Sequence, residues 1–287
     1  MSERQAQLAG AARVAIAASL WGTWSLFLRP AGLPAAVSGA MVFLVMGVVT
    51  LPAALRAPPP RWDAGARRLL GANAVLDATN VLTFFAAMEM TTVAVAVLTH
   101  YLAPVLVALL APAVERRRVP GAVAGALVSC GGLILVLAPW RGVGGDVVLG
   151  GALGAASAFA YAGNVFVVRR LAPRIGPARV VSYHSFLSAA LMAPFAIAAG
   201  VVPGPTAVAW VGGGAVVLGA LAGLIFVRGL ATIGSARTAM LTYLEPVVAV
   251  GVGAIAFGEP VGPTAALGAV LVVATGVWIA RQTPVAV

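Results

Sequence analysis

Three side chains have the spacing of one helix face and the chemistry to hold a polar solute: Asn73, Asp77 and Asn80, at i, i+4 and i+7. Their surroundings are apolar enough for lipid, where an ionised aspartate at a helix centre costs about 2.5 to 3.5 kcal/mol on insertion scales. The stripe is therefore expected to face protein or a water-filled cavity, as a binding surface or as a set of interhelical hydrogen bonds. A second carboxylate, Glu245, lies in an equally apolar run and is followed by Pro246. Proline has no N–H and crowds the preceding turn, so the carbonyl of Thr242 loses its helical partner, and Pro104 does the same to His100. Freed carbonyls can bind polar groups or permit bending, which makes Pro104 and Pro246 candidate gating or hinge positions.

Aromatic residues accompany these groups at mid-segment depth: Trp21, Trp24, Phe84, Tyr101, Tyr161 and Tyr243. In a chain of this kind an aromatic residue is a packing element, an interfacial anchor or a binding surface. Beside a carboxylate, Trp and Tyr faces suit an organic cation, each desolvated cation–π contact being worth about 0.5 to 2 kcal/mol. His100 adjoins Tyr101 and His184 adjoins Tyr183; either can relay protons near neutral pH or simply be hydrogen-bonded. Asn164 is a further candidate because a buried amide needs partners. The eighteen basic residues are all arginine and none falls deep in an apolar segment, so Asp77 and Glu245 are expected to lack a basic partner. This negative balance points to a cation, an amine-bearing solute or a proton. The expected substrate-binding set is thus Trp21, Trp24, Asp77, Asn80, Phe84, His100, Tyr101, Asn164, Tyr243 and Glu245. With one cysteine, Cys130, and no cluster at ligand spacing, no metal, disulfide or cofactor is expected. A phosphate-binding loop that needs lysine is impossible, so ATP does not drive the protein directly.

The elements that position these residues follow from composition. The chain is 61% hydrophobic and 9% charged, against about 25% charged for a soluble domain. About 20 apolar residues cross the hydrocarbon core as a helix, and breaks at Pro, Gly and Arg divide the chain into ten such segments. These are 12–29, 34–55, 69–88, 93–113, 119–138, 148–169, 179–199, 208–228, 236–257 and 262–280. Runs such as Gly132 to Ala138 do not alternate, which argues against a β-barrel. The apolar run after Arg4 and Arg13 continues to Leu28, favouring an uncleaved first helix over a signal peptide. With the N-terminus inside, sixteen arginines fall in cytoplasmic loops and ends and only Arg29 and Arg141 outside. That asymmetry predicts cytoplasmic termini in an inner membrane, and it assigns the net charge of +10 to orientation and anionic lipid rather than nucleic acid.

The stretch from Phe84 to Val105 returns 142 residues later as Phe226 to Val247, matching Phe84 with Phe226, Tyr101 with Tyr243, Leu102 with Leu244 and Pro104 with Pro246. Two repeats are read, 1–140 and 141–287. Each has five helices, an odd number, so the second is inverted. The expected fold is an all-α integral membrane protein with ten transmembrane helices as two inverted five-helix repeats. Inverted repeats place a site near the midplane, between halves that rock to give alternating access. The counterparts of Asn73, Asp77 and Asn80 are Ala215, Gly219 and Ala222, so the symmetry breaks where a substrate is expected. Gly121-x-x-x-Gly125 and Gly150-x-x-x-Gly154 allow close helix approach. Helices 5 and 10, poor in polar residues besides Ser129 and Cys130, are read as supports or a dimer face, leaving monomer and homodimer open.

Leu102-Ala103-Pro104, Tyr243-Leu244-Glu245-Pro246 and Gly258-Glu259, set in two five-helix halves, resemble the drug/metabolite transporter superfamily, EamA-like branch. The resemblance covers nearly the whole chain. It implies a secondary-active carrier of small metabolites, often an amino-acid exporter, with a central cavity lined by helices 1 to 4 and 6 to 9. The first half departs from the pattern, with Ala103 where the second has Glu245. The expected function is secondary transport of an amino acid or organic amine, with proton coupling as one mechanism. A uniporter or exchanger of a quaternary amine such as choline is the alternative, and an intramembrane enzyme using Asp77 with Glu245 or His100 is a remote one.

Overall fold

Caps and prolines start most of the helices where the apolar segments begin. Asp63, Thr92 and Asp146 accept backbone N–H bonds as N-caps of helices 3, 4 and 6, and Pro177, Pro205 and Pro263 open helices 7, 8 and 10. The computed structural model describes residues 2–141, 145–282 and 285–286. Among them, helix 1 is Glu3–Trp21 with Ser25–Ala31, helix 2 Ala35–Arg56, helix 3 Ala64–Met90, and helix 4 Val93–His100 with Ala103–Glu115. Helix 5 is Ala122–Leu137, helix 6 Val147–Ile175, and helix 7 Pro177–Ala198. Helix 8 runs from Pro205 to Ile233, helix 9 is Ser235–Thr242 with Leu244–Phe257, and helix 10 is Pro263–Ala280. Nine of these paths are long and apolar enough to span a membrane. Helix 5, at 16 residues, is the short one, about 24 Å at 1.5 Å per residue.

Helices 4 and 9 are interrupted at Tyr101–Leu102 and at Tyr243, just ahead of Pro104 and Pro246, where the missing N–H weakens the ladder. Two further irregularities have no proline behind them. Helix 1 is interrupted at Gly22–Trp24, and Gly22 packs so closely that a Cβ there would lie 2.5 Å from the Glu245 carbonyl oxygen. Helix 8 widens to a π-helix at Ala215–Leu221, the stretch that mirrors the polar stripe of helix 3.

Helix pairs in contact include 3 with 6, 2 with 7, 5 with 10, 1 with 8 and 4 with 9. Exchanging the halves turns 3–6 into 8–1 and returns each of the others to itself, so the packing obeys a pseudo-twofold axis between two inverted five-helix repeats. Helices 5 and 10 show this at atomic scale. Gly268 would strike the Gly132 carbonyl if it carried a Cβ, and symmetry-related Gly125 abuts Thr275. These helices therefore pair with each other rather than standing free.

Cross-chain contacts sort by membrane side. At the arginine-rich end, β1 (Arg117–Arg118) pairs with β2 (Val285–Ala286), Arg174 lies 3.3 Å from Asp63, and Arg179 donates to the carbonyls of Ala57 and Pro58. At the other end Arg29 meets Glu259 at 2.7 Å, and Thr91 bridges to Gly145.

Candidate functional site

Helix 3 runs antiparallel to helix 6, so a stripe on one meets a stripe on the other in reverse order. Ser157, Tyr161 and Asn164 repeat on helix 6 the i, i+4, i+7 spacing of Asn73, Asp77 and Asn80. The two rows join rung by rung. The Asn73 amide donates to Asn164 Oδ1 at 2.6 Å, and the Ser157 hydroxyl donates to Asn80 Oδ1 at 2.9 Å. Between them, Asp77 and Tyr161 lie within electrostatic range. The outer rungs of the helix 3 stripe thus serve as interhelical adhesive, and helices 8 and 1 form the apolar version of this seam. There Trp21 sends its indole N–H to the Leu218 carbonyl within the π-helix at 2.8 Å and tilts against Phe226.

His100 closes the polar row from helix 4, its Nδ1 lying 2.6 Å from Ser157 Oγ. Since Ser157 spends its hydrogen on Asn80, Nδ1 is the donor and His100 Nε2 keeps a free lone pair. Aromatic rings surround this imidazole: Phe84 at 4.6 Å, Tyr101 at 5.2 Å and Tyr161 at 5.6 Å between centroids. The Tyr101 hydroxyl faces the Glu245 carboxylate, and Tyr161 faces Thr242, whose carbonyl Pro246 releases. Asn80, Phe84, His100, Tyr161 and Glu245 are all only partly buried, as a solute-accessible wall requires.

Some expected residues do other work. Tyr243 is fully buried, and its hydroxyl donates to the Tyr101 carbonyl at 2.9 Å, with that of Ala126 at 3.4 Å. Trp24 packs beside Gly214 on helix 8. The expectation that Asp77 lacks a basic partner is overturned. His184 on helix 7 places Nε2 2.9 Å from Asp77 Oδ2, because helix 7 packs in the groove between helices 2 and 3. The sequence separation of 107 residues hid that pair. Ser157 was also missed, although its spacing to Tyr161 and Asn164 was a readable signal.

Packing around this cluster is uneven. All eight residues of Ser235–Thr242 are buried, whereas Leu244–Phe257 buries only Pro246 and Gly253, and Ser25–Ala31 buries none. The arginine-rich end is also tied by Arg237 to Gln7 and the Gln282 carbonyl, by Ser235 to Glu115, and by Arg169 to the Ala231 carbonyl. Buried residues thus concentrate on the arginine side of the cluster, and the segments towards Arg29 and Glu259 bury few. A separate groove of about 400 Å³ lies at the arginine-rich end, lined by residues such as Ala111, Pro112, Arg118 and Ala236. None of the expected site residues reaches it. Among the described residues, no three His, Cys, Asp or Glu side chains cluster as metal ligands.

Residues 8–138 and 148–281 each match the EamA-like transporter family. An uncharacterized transporter from Archaeoglobus fulgidus is 31% identical over 275 residues, covering 94% of this chain and 96% of that protein. A crystal structure with 24% identity superposes with a TM-score of 0.79 over 96% of this chain and 98% of its own, a likeness of fold.

Proposed function

Because the chain belongs to the EamA-like transporter family, we infer that this multi-pass membrane transporter carries a small organic amine or amino acid across the cytoplasmic membrane by alternating access. The observation that carries the reading is the mixed cluster at the interrupted helices. Glu245 supplies negative charge, His100 Nε2 an acceptor, and Phe84, Tyr101 and Tyr161 supply ring faces within 6 Å of the His100 ring. An ammonium group satisfies such a set by hydrogen bonds and cation–π contact together. The amide N–H groups of Asn80 and Asn164, whose Oδ1 atoms accept from Ser157 and Asn73, suit a carboxylate on the same solute. The sixteen-to-two arginine distribution supports cytoplasmic termini. With that orientation the end that buries few residues is external, which supports an outward-facing state, and the repeats 1–140 and 141–287 are the bodies that rock.

The test begins with a thermal-shift screen of amino acids, polyamines and quaternary amines on purified protein. A ligand at 100 times its Kd stabilises the protein by about 2.7 kcal/mol. Hits then go into proteoliposome uptake with wild type, Glu245→Gln and Phe84→Ala. An amine that stabilises and enters, and loses at least tenfold in affinity with Glu245→Gln, is the expected result. Hits confined to quaternary amines, with flux that ignores imposed gradients, favour the exchanger or uniporter. Hits that bind Glu245→Gln as well as wild type remove the cluster from the argument.

A further inference from the structure

His184 has an acceptor at each ring nitrogen. Nδ1 lies 2.7 Å from the Val180 carbonyl oxygen one turn back on helix 7, and Nε2 lies 2.9 Å from Asp77 Oδ2 on helix 3. A carbonyl oxygen only accepts, so Nδ1 carries a hydrogen. A neutral ring then presents a bare lone pair at Nε2, and an ionised carboxylate offers only lone pairs in return. That contact is repulsive at 2.9 Å unless one further proton sits between the groups. The bridged pair is therefore either imidazolium with carboxylate or imidazole with carboxylic acid. Both forms are neutral overall and hold one removable proton. Its loss leaves one net negative charge inside the membrane and cancels the Asp77–His184 hydrogen bond, while Ser188 on helix 7 still donates to the Ala74 carbonyl on helix 3 at 3.2 Å.

The surroundings place few charged groups near this proton, with Tyr161 the ionisable neighbour in electrostatic range of Asp77. The Asp77 side chain is 19% exposed and that of His184 8%, so the carboxyl is the side open to water. Helix 2 turns Phe43 edge-on to the imidazole at 6.0 Å, and its one charged residue, Arg56, stands at its end. Helix 6 contributes Tyr161, with its arginines at the far end, and His100 on helix 4 is bound to Ser157. Helix 8 carries only Arg228, which is exposed, while Arg67, Arg68 and Glu89 lie towards the ends of helix 3. On helix 7 itself, Tyr183 stacks on Trp62, and Arg179 is committed to the carbonyls of Ala57, Pro58 and Ile175.

We propose that Asp77 and His184 form the coupling-proton site of the carrier, separate from the cargo cluster at Glu245 and His100. Helix 3 belongs to one half of the chain and helix 7 to the other, so protonation bridges the halves. Release of the proton to cavity water removes this one bridge, leaving the Asn73–Asn164 and Asn80–Ser157 rungs in place, and leaves a carboxylate one turn from Asn80. This assignment rests on the carrier reading above but not on the identity of the cargo.

The chain has two histidines, which makes the test direct. Protein labelled with 15N-histidine and 13C-aspartate is placed in nanodiscs and titrated by NMR without cargo, with His100→Gln assigning the remaining histidine. In wild type, His184 Nδ1 stays protonated, and one proton leaves in a step with the same midpoint in the His184 nitrogen and Asp77 carboxyl signals. Asp77→Asn, checked for monodisperse elution, shifts the His184 midpoint by more than about one pH unit, and Asp77→Glu restores a coupled step. An unchanged midpoint in Asp77→Asn, or an unprotonated Nδ1, overturns the proposal. Neither result touches the amine reading, which fails instead if the ligand screen and uptake assay fail while the coupled step stands.

Discussion

Tyr101 and Tyr243 occupy equivalent places, each three residues before a helix-breaking proline, yet removal of the same atom from each should do opposite things. The Tyr243 hydroxyl is fully buried and donates to the Tyr101 carbonyl at the interruption of helix 4. Interhelical hydrogen bonds in a membrane protein average about 0.6 kcal/mol and reach about 1.7. Full burial, and a second acceptor at 3.4 Å on Ala126, place this one in the upper part of that range. Tyr243→Phe should therefore destabilise the fold by about 1 to 1.7 kcal/mol, a change of about 5- to 20-fold in the unfolding equilibrium, while leaving cargo affinity within about twofold. Tyr101→Phe removes a hydroxyl that faces Glu245 instead. It should cost less stability and weaken amine binding several-fold. Equilibrium unfolding in mixed micelles, paired with ligand thermal shift, measures both quantities on both variants. Wild-type stability for Tyr243→Phe, or a binding defect in it with full stability, would refute the division of labour between the two tyrosines.

Three further outcomes are expected. In a Cys130→Ala background, an external thiol reagent should label a cysteine at Pro203, and one at Gly144, which lies outside the described residues, but not at Pro59 or Pro177; the reverse pattern inverts the orientation. Gly268→Leu should force helices 5 and 10 apart and cost about 1 to 3 kcal/mol, since the Gly132 carbonyl occupies the space, whereas Gly131→Leu enters open space and should stay within about 0.5 kcal/mol. The same unfolding assay checks both. The Ala66 N–H, helped by Arg174, holds the Asp63 carboxyl below its ordinary 3.8. A depressed pKa stabilises above the ordinary value and is lost as pH falls through the folded one, so the gap between wild type and Asp63→Ala should be constant from pH 5 to 8 and close below about pH 3.8. Unfolding midpoints at pH 7 and pH 3 test it; a gap that widens in acid contradicts the capping role.

What the sequence determined by itself is whatever lipid and backbone chemistry dictate locally. Segment length and hydropathy specify spanning helices, arginine positions specify which loops share a side, and Pro104 and Pro246 specify where two helices break, because each cause lies within a few residues of its effect. The 142-residue repeat, with five helices on each side of it, was enough for an inverted architecture. Tertiary structure alone decided which side chains are partners. Asp77 and His184 meet only because helix 7 lies against helix 3, and the Asn73–Asn164 and Asn80–Ser157 rungs need those helices antiparallel and in one register. The break in helix 1 and the π-turn of helix 8 likewise have no proline to announce them. They coincide with backbone packing of Gly22 against Glu245 and with an indole hydrogen bond to Leu218, contacts made between residues about 200 positions apart. Side-chain pairing depends on distance in space, and neither composition nor periodicity carries that quantity across separate helices.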